Sequence, residues 1–178
     1  MPRILDALAD RPPRVFAIQT RGPLILRDID RLRTLATRTT LRVSFSITTN
    51  REDIRRLYEP HCATFEERLQ TVRVLRDAGI ETYATLAPLL PCDAGELTEA
   101  ALGASGRDLI GDPLHIRSTK RHGATTREAA FRISAAHHHD RCLDEADQAR
   151  VVEQIDHIAR SAGFTFTTGP RGFAKLAL

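Results

Sequence analysis

Residues that could bind a small polar ligand follow two predicted strands. Arg21 comes directly after the buried run VFAIQT (15–20), and Ser46 and Thr48 lie in the alternating run LRVSFSITT (41–49). Hydroxyl groups donate and accept hydrogen bonds, and the guanidinium fork of arginine suits carboxylates and phosphates. A strand solvated on one face and a loop arginine paired with a surface carboxylate are the alternative interpretations.

Two later predicted strands end in further polar or turn-forming residues. Pro88 lies near the end of ETYATLAPL (81–89), and His115 and Arg117 lie at the end of DLIGDPLHIR (108–117). The carboxyl ends of parallel strands meet at one edge of a sheet, where ligands bind. We therefore expect these residues to converge with the two earlier strand ends on one rim.

Two other segments concentrate reactive side chains. The basic segment RSTKRHGATTR (117–127) precedes a predicted helix start and could hold a phosphate, although a solvated loop is the favoured interpretation. The run His137-His138-His139-Asp140 is a conspicuous candidate metal site. Adjacent histidines point apart, so a solvated helix end is favoured there.

The elements that must position these residues alternate between strand and helix. Besides the four strands, the pattern predicts helices at 28–37, 50–57, 64–78, 125–136 and 143–162 and another from Asp93. The predicted caps are Asn50, Thr64 with Glu67, Asp93, and Thr125 with Glu128, and the helix that Thr64 begins carries Leu69, Val72 and Leu75 on one apolar stripe. This order predicts an α/β fold with a parallel sheet. Because a closed eight-stranded barrel needs ~250 residues, we expect an open sheet or a partial barrel.

The C-terminal region departs from that alternation. FTFTT and FAKLAL are predicted to be two short strands around the turn Gly169-Pro170-Arg171-Gly172. We predict a barrel-like region over 1–117 and an extension packed on it over 118–178.

The composition, the apolar runs and the cysteine count indicate the class of protein. The 178 residues are 42% hydrophobic and 28% charged, with a net charge of +3. No apolar run approaches the ~20 residues of a membrane span, and the N-terminus does not resemble a signal peptide, so the cytoplasm is the expected compartment. Three widely spaced cysteines argue against a disulfide framework and against a sequence-local metal motif. They are Cys62, Cys92 and Cys142.

An ordered set of short motifs resembles the radical SAM proteins of the spore photolyase-like group. The matching elements, spread over roughly residues 14–117, are Thr20-Arg21, Ser46-Ile47-Thr48-Thr49, Glu59-Pro60, Arg68-Leu69, Ala78-Gly79-Ile80 and Ala87-Pro88-Leu89-Leu90-Pro91. The resemblance implies a partial (β/α) barrel that binds S-adenosylmethionine against a 4Fe–4S cluster. In that family the reduced cluster cleaves the sulfonium to a radical, which abstracts hydrogen from the substrate.

The resemblance also implies roles for particular residues. Ser46 and Thr48 would bind the ribose, because hydroxyls match ribose oxygens, and Arg21 would meet the methionyl carboxylate. Arg68 would serve the same carboxylate or anchor its loop. The backbone at Ala87 and Pro88 would border the adenine.

Substrate contacts are expected from Glu59, His115 and Arg117. Glu59 alternatively shapes the turn into the next helix. Nucleic acid is the substrate class that the resemblance implies.

The cluster-binding C-x-x-x-C-x-x-C loop of that family has no counterpart here. Only 14 residues precede VFAIQT and none is cysteine. We therefore expect the first strands of the barrel and the cluster ligands to be missing, and no metal is assigned. The chain is interpreted as the C-terminal part of such a protein, predicted not to cleave S-adenosylmethionine by itself.

The sequence is also compatible with two other functions. The chain could be an interaction module that pairs with an N-terminal cluster-bearing half or another partner chain, because missing strands would leave VFAIQT uncovered. It could also be a phosphate-binding α/β enzyme that uses His115, Arg117 and Lys120. Exposed apolar surface would favour low stability or self-association.

Overall fold

A computed structural model describes residues 2–114 and 128–178. The strands are β1 (Val15–Thr20), β2 (Thr40–Ser46), β3 (Glu81–Leu89), β4 (Leu109–Pro113) and β5 (Phe166–Thr168). The helices are α1 (Pro2–Asp10), α2 (Ile29–Ala36), α3 (Glu52–Tyr58), α4 (Phe65–Asp77), α5 (Ala94–Ser105), α6 (Glu128–Ala136), α7 (Glu145–Ser161) and α8 (Gly169–Ala174). Short 3-10 helices span Pro23–Asp28, Asp140–Leu143 and Lys175–Ala177.

The five strands form one parallel sheet in the order of the chain, β1-β2-β3-β4-β5. Each strand is joined to the next by at least one helix, because parallel neighbours need a crossover connection. This is the α/β architecture that the alternation of strands and helices predicted. β5, which lies in the C-terminal region, continues the sheet beyond β4.

One face of the sheet packs against helices and forms the core. Alternate residues of the central strands, such as Val43, Phe45 and Leu86, are completely buried there. The facing helices contribute the stripe predicted for α4, which consists of Leu69, Val72 and Leu75. Burying this apolar surface is the main stabilising contribution to such a fold.

The opposite face is polar along its central strands. It carries Arg42, Ser44 and Ser46 of β2 beside Glu81, Tyr83 and Thr85 of β3. The hydroxyls of Ser44 and Thr85 hydrogen-bond at 2.6 Å across the strands. We call this surface the polar face.

Several helix ends follow the sequence signals. Thr64 and Glu67 form the predicted capping box of α4, and Asp93 caps α5 by accepting from the Glu96 amide at 2.9 Å. Gly79 follows α4 with a φ of +78°, a conformation that favours glycine.

Asn50 does not cap α3, contrary to prediction. Arg51 occupies the cap position of that helix. The Asn50 amide instead spans two loops, because it donates to Glu96 at 2.7 Å and accepts from the Asp93 amide at 3.0 Å. β2 also ends at Ser46, three residues earlier than predicted.

The prediction that FAKLAL forms a strand was wrong. That segment begins in α8 and continues in the last 3-10 helix, where Leu176 is buried. Phe173 and Leu176 are three residues apart, so a helical turn brings both to one side, against β1. Gly172 lets α8 lie close to β5, because a Cβ atom there would lie 2.3 Å from the Thr167 carbonyl oxygen.

None of the helices in the described ranges is long and apolar enough to cross a membrane.

Candidate cofactor-binding site

The carboxyl ends of β1, β2 and β3 lie side by side, and most of the predicted site residues are found there. The three strands are parallel neighbours and end at Thr20, Ser46 and Leu89. The segments that leave them carry Arg21 and Thr48. The expected convergence of strand ends therefore occurs for these three strands.

A hydroxyl and a stretch of irregular backbone are adjacent at this edge. The Ser46 hydroxyl donates to the Ala87 carbonyl oxygen at 2.8 Å. Between Leu86 and Leu89 the pairing of β3 with β4 is irregular, and the Ala87-Pro88 peptide bond is cis. Ser46, Ala87 and Pro88 are all half-buried, so a ligand at the edge can contact the three together.

Beside them, four residues form a cluster around one carboxylate. Oε1 of Glu59 accepts a hydrogen bond from Arg21. Oε2 of Glu59 accepts from the Thr48 hydroxyl at 2.8 Å and from Nη2 of Arg68 at 2.6 Å. We call Arg21, Thr48, Glu59 and Arg68 the rim cluster. Its carboxylate is held by three donors.

Arg68 is the buried anchor of the rim cluster. Its side chain is 2% exposed. Nε donates to the Ala63 carbonyl at 3.0 Å, and Nη1 donates to the Ser46 carbonyl at 3.3 Å. All of these contacts are internal, so the geometry favours the anchoring role over direct contact with a ligand. The contact with Ser46 also joins the rim cluster to the Ser46–Ala87 pair.

The local sequence explains why Arg68 reaches this position. Thr64 caps α4, so Arg68 lies in the first turns of a helix that begins at the sheet edge. The preceding loop is held by Arg55, whose Nη1 donates to the carbonyls of Glu59 at 3.2 Å and Cys62 at 2.8 Å.

Arg55 is itself held by an ion pair with Glu52 at 2.8 Å. Burial raises the pKa of the Glu52 carboxyl, but hydrogen bonds from Arg55 and from the Phe65 amide outweigh burial and hold the pKa below its usual range. Glu52 therefore stays ionised at neutral pH and keeps this pair neutral overall.

The rim cluster carries one net positive charge. Two guanidinium groups share the single Glu59 carboxylate. Arg68 is buried, whereas the side chain of Arg21 is 49% exposed. The excess charge is therefore presented at the surface by Arg21, whose remaining donors can take a carboxylate or another anion.

A second cluster lies at the amino ends of β2 and β3. Glu81 pairs with Arg42 at 3.1 Å and with Arg107 at 3.6 Å, and the Tyr83 hydroxyl donates to it at 2.7 Å. We call these four residues the basal cluster. Nη1 of Arg42 is buried and has no hydrogen-bond partner in the part of the chain that the structure describes.

The structure thus brings together seven of the predicted site residues. The rim cluster contains Arg21, Thr48, Glu59 and Arg68, and the Arg68–Ser46 contact extends it to Ser46, Ala87 and Pro88. His115 and Arg117, with the basic segment 117–127 and the Thr125 cap, lie outside the described residues. The roles assigned to all of these side chains stay predictions.

Sequence reasoning missed Arg55 and the basal cluster. The spacing of Glu52 and Arg55 on one helix turn could have indicated an ion pair. Nothing in the sequence indicated that Arg55 would hold two loop carbonyls, because that contact depends on the path of residues 59–64.

The histidine run directly follows α6. The ring of His139 lies 6.2 Å from the rings of both Tyr58 and His137. Among the described residues, no group of three histidine, cysteine or acidic side chains could hold a metal ion.

No family model matches the chain. Curated proteins that are similar to it include uncharacterized proteins of Mycobacterium bovis and Mycobacterium tuberculosis, 31% identical over 129 residues. The match takes in 68% of this chain but only 37% of the length of these relatives.

Solved structures of spore photoproduct lyase resemble the chain in fold. A cysteine-to-serine variant superposes with a TM-score of 0.61 at 13% identity, over 93% of this chain and 54% of the other. A variant with bound AdoMet and dinucleoside spore photoproduct gives a TM-score of 0.59 at the same identity and coverage. The predicted fold class is confirmed: over most of its length the chain has the partial β/α-barrel fold of spore photoproduct lyase.

Proposed function

We propose that this chain binds S-adenosylmethionine at the carboxyl edge of its sheet, as the cofactor-binding part of a radical SAM protein of the spore photolyase-like group. The observation that carries the proposal is the rim cluster, which presents one uncompensated guanidinium beside the half-exposed Ser46 hydroxyl. The AdoMet bound to one of the similar structures supports the choice of ligand.

The donor set fits the polar groups of S-adenosylmethionine. The exposed side of Arg21 suits the methionyl carboxylate. The Ser46 hydroxyl can keep its bond to Ala87 while accepting a hydrogen bond from the ribose. The irregular backbone at Ala87 and Pro88 borders the remaining space, where the adenine would lie.

Three residues act on the ligand only through Arg21 and Ser46. Glu59 fixes the Arg21 guanidinium, Arg68 holds both Glu59 and the Ser46 carbonyl, and Thr48 is fully buried beneath them. These are positioning residues. S-adenosylmethionine supplies the sulfonium chemistry when bound, and this chain supplies its orientation.

The residues of this chain do not fit a 4Fe–4S cluster. Cluster loops rely on closely spaced cysteine thiolates. Cys62, Cys92 and Cys142 are far apart in the sequence, and burial, with Asp93 beside it, raises the pKa of the Cys92 thiol to about 12. Any cluster that works with this site must be ligated by residues outside these 178.

A direct consequence is that the chain alone should not cleave S-adenosylmethionine reductively. Anaerobic reconstitution with iron and sulfide should leave no stoichiometric cluster and release no 5′-deoxyadenosine. Incorporation of roughly four irons per chain together with 5′-deoxyadenosine release would contradict the proposal.

Nucleic acid is the substrate class that we propose for the complete protein. One of the similar structures holds a dinucleoside spore photoproduct. The basic segment 117–127, with Arg117, Lys120, Arg121 and Arg127, would contribute charge for a phosphate backbone. Binding of a short single-stranded oligonucleotide should weaken steeply with salt, and salt-independent binding or none would remove this part of the proposal.

The cofactor assignment is tested by equilibrium dialysis with S-adenosylmethionine and with 5′-methylthioadenosine, which lacks the amino-acid carboxylate. Arg21→Gln should weaken S-adenosylmethionine about tenfold and leave 5′-methylthioadenosine unchanged, because only the first ligand brings a carboxylate to Arg21. Ser46→Ala should weaken both ligands by a similar factor.

Arg107→Gln is the matched control. Like Arg21, Arg107 is about half exposed and paired with a glutamate, but it belongs to the basal cluster. Neither ligand should change affinity in this variant. If phosphate protects the chain against heating and S-adenosylmethionine does not, the phosphate-binding alternative replaces our proposal.

A further inference from the structure

A cavity of about 530 Å³ lies between the loop that follows β3 and the amino-terminal half of α7. Its volume is within the range of about 300–1,000 Å³ that is typical of small-molecule sites. The apolar part of its wall consists of Leu90, Pro91 and Val151, together with Cys92 and Cys142. We call this space the α7 cavity. None of the described residues assigned to the cofactor lines it, so it is separate from the proposed cofactor site.

The two apolar sides of the α7 cavity are held by the rest of the fold. The Leu90 amide donates to the Thr48 carbonyl oxygen at 3.0 Å, and the Thr49 hydroxyl donates to the Pro91 carbonyl oxygen at 2.7 Å. On the opposite side, Val151 of α7 packs against the buried core. Ligand pockets are usually largely formed before the ligand binds. The α7 cavity meets this condition, and an apolar ring can pack between its loop side and its helix side.

Gln148 places a hydrogen-bond acceptor in the wall of the α7 cavity. Its Nε2 donates to the carbonyl oxygens of Leu114 and Cys142, both at 2.7 Å, which uses both hydrogens of the amide. These two bonds fix the orientation of the amide. Its Oε1 accepts no hydrogen bond from the residues in the described ranges 2–114 and 128–178. A ligand N–H that reaches Oε1 would therefore meet an acceptor that is already in position.

The mouth of the α7 cavity presents guanidinium donors. The side chains of Arg51 and Arg150 are 48% and 67% exposed, whereas Gln148 is half-buried and lies deeper. Arg51 pairs with Asp53 through Nε and Nη2, so its Nη1 keeps both donors within the part of the chain that the structure describes. Asp147, which also lines the cavity, is paired with Arg150. The remaining guanidinium donors suit a carboxylate or a phosphate.

We propose that the α7 cavity binds a small molecule that combines a heteroaromatic ring, an N–H donor on that ring and an anionic group. The ring packs between the loop after β3 and Val151, and its N–H donates to Oε1 of Gln148. The anionic group lies at the mouth against Arg51. Nucleoside monophosphates and indole-type aromatic acids share this chemistry, and the experiment distinguishes these two sources.

Indole-3-acetate is the first probe, because it carries all three features. Isothermal titration of the full chain should give a dissociation constant below about 1 mM. Benzothiophene-3-acetate, which lacks the ring N–H, should bind about fivefold more weakly, and indole-3-acetamide, which lacks the charge, about tenfold more weakly. Uridine 5′-monophosphate is titrated beside indole-3-acetate. Tighter binding of the first assigns the cavity to nucleotides, and tighter binding of the second assigns it to aromatic acids.

Alkylation of the cysteines locates the bound probe. Cys142 lines the α7 cavity, whereas Cys62 does not and serves as the internal control. At a probe concentration about ten times the dissociation constant, the reaction of Cys142 with iodoacetamide should slow about tenfold while that of Cys62 stays unchanged. Mass spectrometry follows both sites. Cys92 is a poor reporter, because burial raises the pKa of its thiol to about 12.

Arg51→Gln tests the anion contact on the chain itself. It should weaken indole-3-acetate about tenfold and leave indole-3-acetamide unchanged, because only the first probe carries a charge. Arg73→Gln on α4 is the matched control and should change neither affinity, since Arg73 is also partly exposed and ion-paired but lies outside the cavity. Arg51→Gln should also leave the affinity for S-adenosylmethionine unchanged, so that this proposal and the cofactor assignment fail separately.

Three results would overturn the proposal. The first is no binding of indole-3-acetate or uridine 5′-monophosphate at about 1 mM. The second is equal affinity for probes with and without the N–H donor or the charge, because apolar burial alone would then account for binding. The third is binding that leaves Cys142 unprotected, which would place the probe elsewhere on the chain.

Discussion

At each end of the sheet two arginines share one glutamate, yet only the rim cluster satisfies all of its buried polar atoms among the described residues. There the fully buried arginine, Arg68, is saturated by internal contacts. The half-exposed one, Arg21, keeps donors at the surface. In the basal cluster the buried arginine, Arg42, is the one with an unpaired donor, whereas Arg107 lies 5.7 Å from the centre of the Tyr83 ring.

The difference indicates which cluster has hydrogen-bond partners for all of its buried polar atoms among the described residues. The rim cluster needs nothing more to be stable, and its spare charge faces outward, as a ligand site requires. The basal cluster lacks one acceptor on the inside. The first arrangement favours the reversible binding of a small anion, and the second keeps its unpaired donor buried, where a ligand cannot reach it.

The largest expected contrast comes from removing the buried arginine of each cluster. Arg68→Met should lower the free energy of unfolding by about 3–5 kcal/mol, because it takes the main partner from a buried carboxylate. Arg42→Met should cost only about 1–2 kcal/mol, because Glu81 keeps Tyr83 and Arg107 and an unpaired donor is removed. Urea unfolding of the two variants measures both values. Equal losses of the free energy of unfolding would contradict the proposed difference between the two clusters.

Neutralising the shared glutamate should give a smaller contrast in the same direction. Glu59→Gln should destabilise the chain by about 2–3 kcal/mol, since it leaves two arginines around a neutral amide, one of them buried. Glu81→Gln should cost about 1 kcal/mol, because the Glu81 side chain is 26% exposed, against 7% for Glu59, and water screens its ion pairs. Thermal unfolding followed by circular dichroism would test this, and a larger loss for Glu81→Gln would count against the account.

Removing one hydroxyl from each cluster should have a still smaller effect. Thr48→Val deletes a donor to Glu59 and an acceptor for Arg68 in a fully buried position, and we expect a loss of about 1–2 kcal/mol. Tyr83→Phe deletes one donor to Glu81 at a half-buried position, and we expect it to lower the free energy of unfolding by about 0.5–1 kcal/mol. Chemical unfolding compares the two. The order of the losses is the informative result.

The smallest effect is a difference in acid sensitivity. Burial raises the pKa of Glu81, but hydrogen bonds from Tyr83 and Arg42 outweigh it, so the pKa lies below its usual value of 4.5. The ionised Glu81 carboxylate therefore stabilises the fold at pH values above 4.5. This contribution to stability is lost as the pH falls through the lowered pKa of Glu81. Urea midpoints between about pH 6 and pH 3 should fall less steeply in Glu81→Gln than in the unmodified chain. Parallel curves would show that Glu81 has no such role.

Much of the fold was predictable because its signals are local. The capping box at Thr64, the alternation in β2 and the apolar stripe of α4 each depend on neighbouring residues. The helical path of FAKLAL was not predictable in this way, because six residues fit a strand and a helix equally well. Packing against β1 and the close approach at Gly172 decide between them.

The site was predictable as a set of residues but not as a network. The convergence of strand ends in a parallel sheet indicated Arg21 and Ser46, and the family resemblance added Glu59. It did not indicate that Arg21 and Arg68 would share Glu59, since that depends on the path of the loop before α4. The burial of Arg68 is also a property of the tertiary structure. This burial is what makes Arg68 a positioning residue and not a residue that contacts the ligand.

The central claim is that the rim cluster presents Arg21 to the carboxylate of S-adenosylmethionine. Isothermal titration of the unmodified chain, Arg21→Gln and Arg107→Gln tests it most directly, because the two variants remove the same charge from opposite ends of the sheet. We predict an affinity about tenfold weaker in Arg21→Gln and unchanged in Arg107→Gln. Equal affinities in the two variants, or no heat of binding in the unmodified chain, would contradict the account.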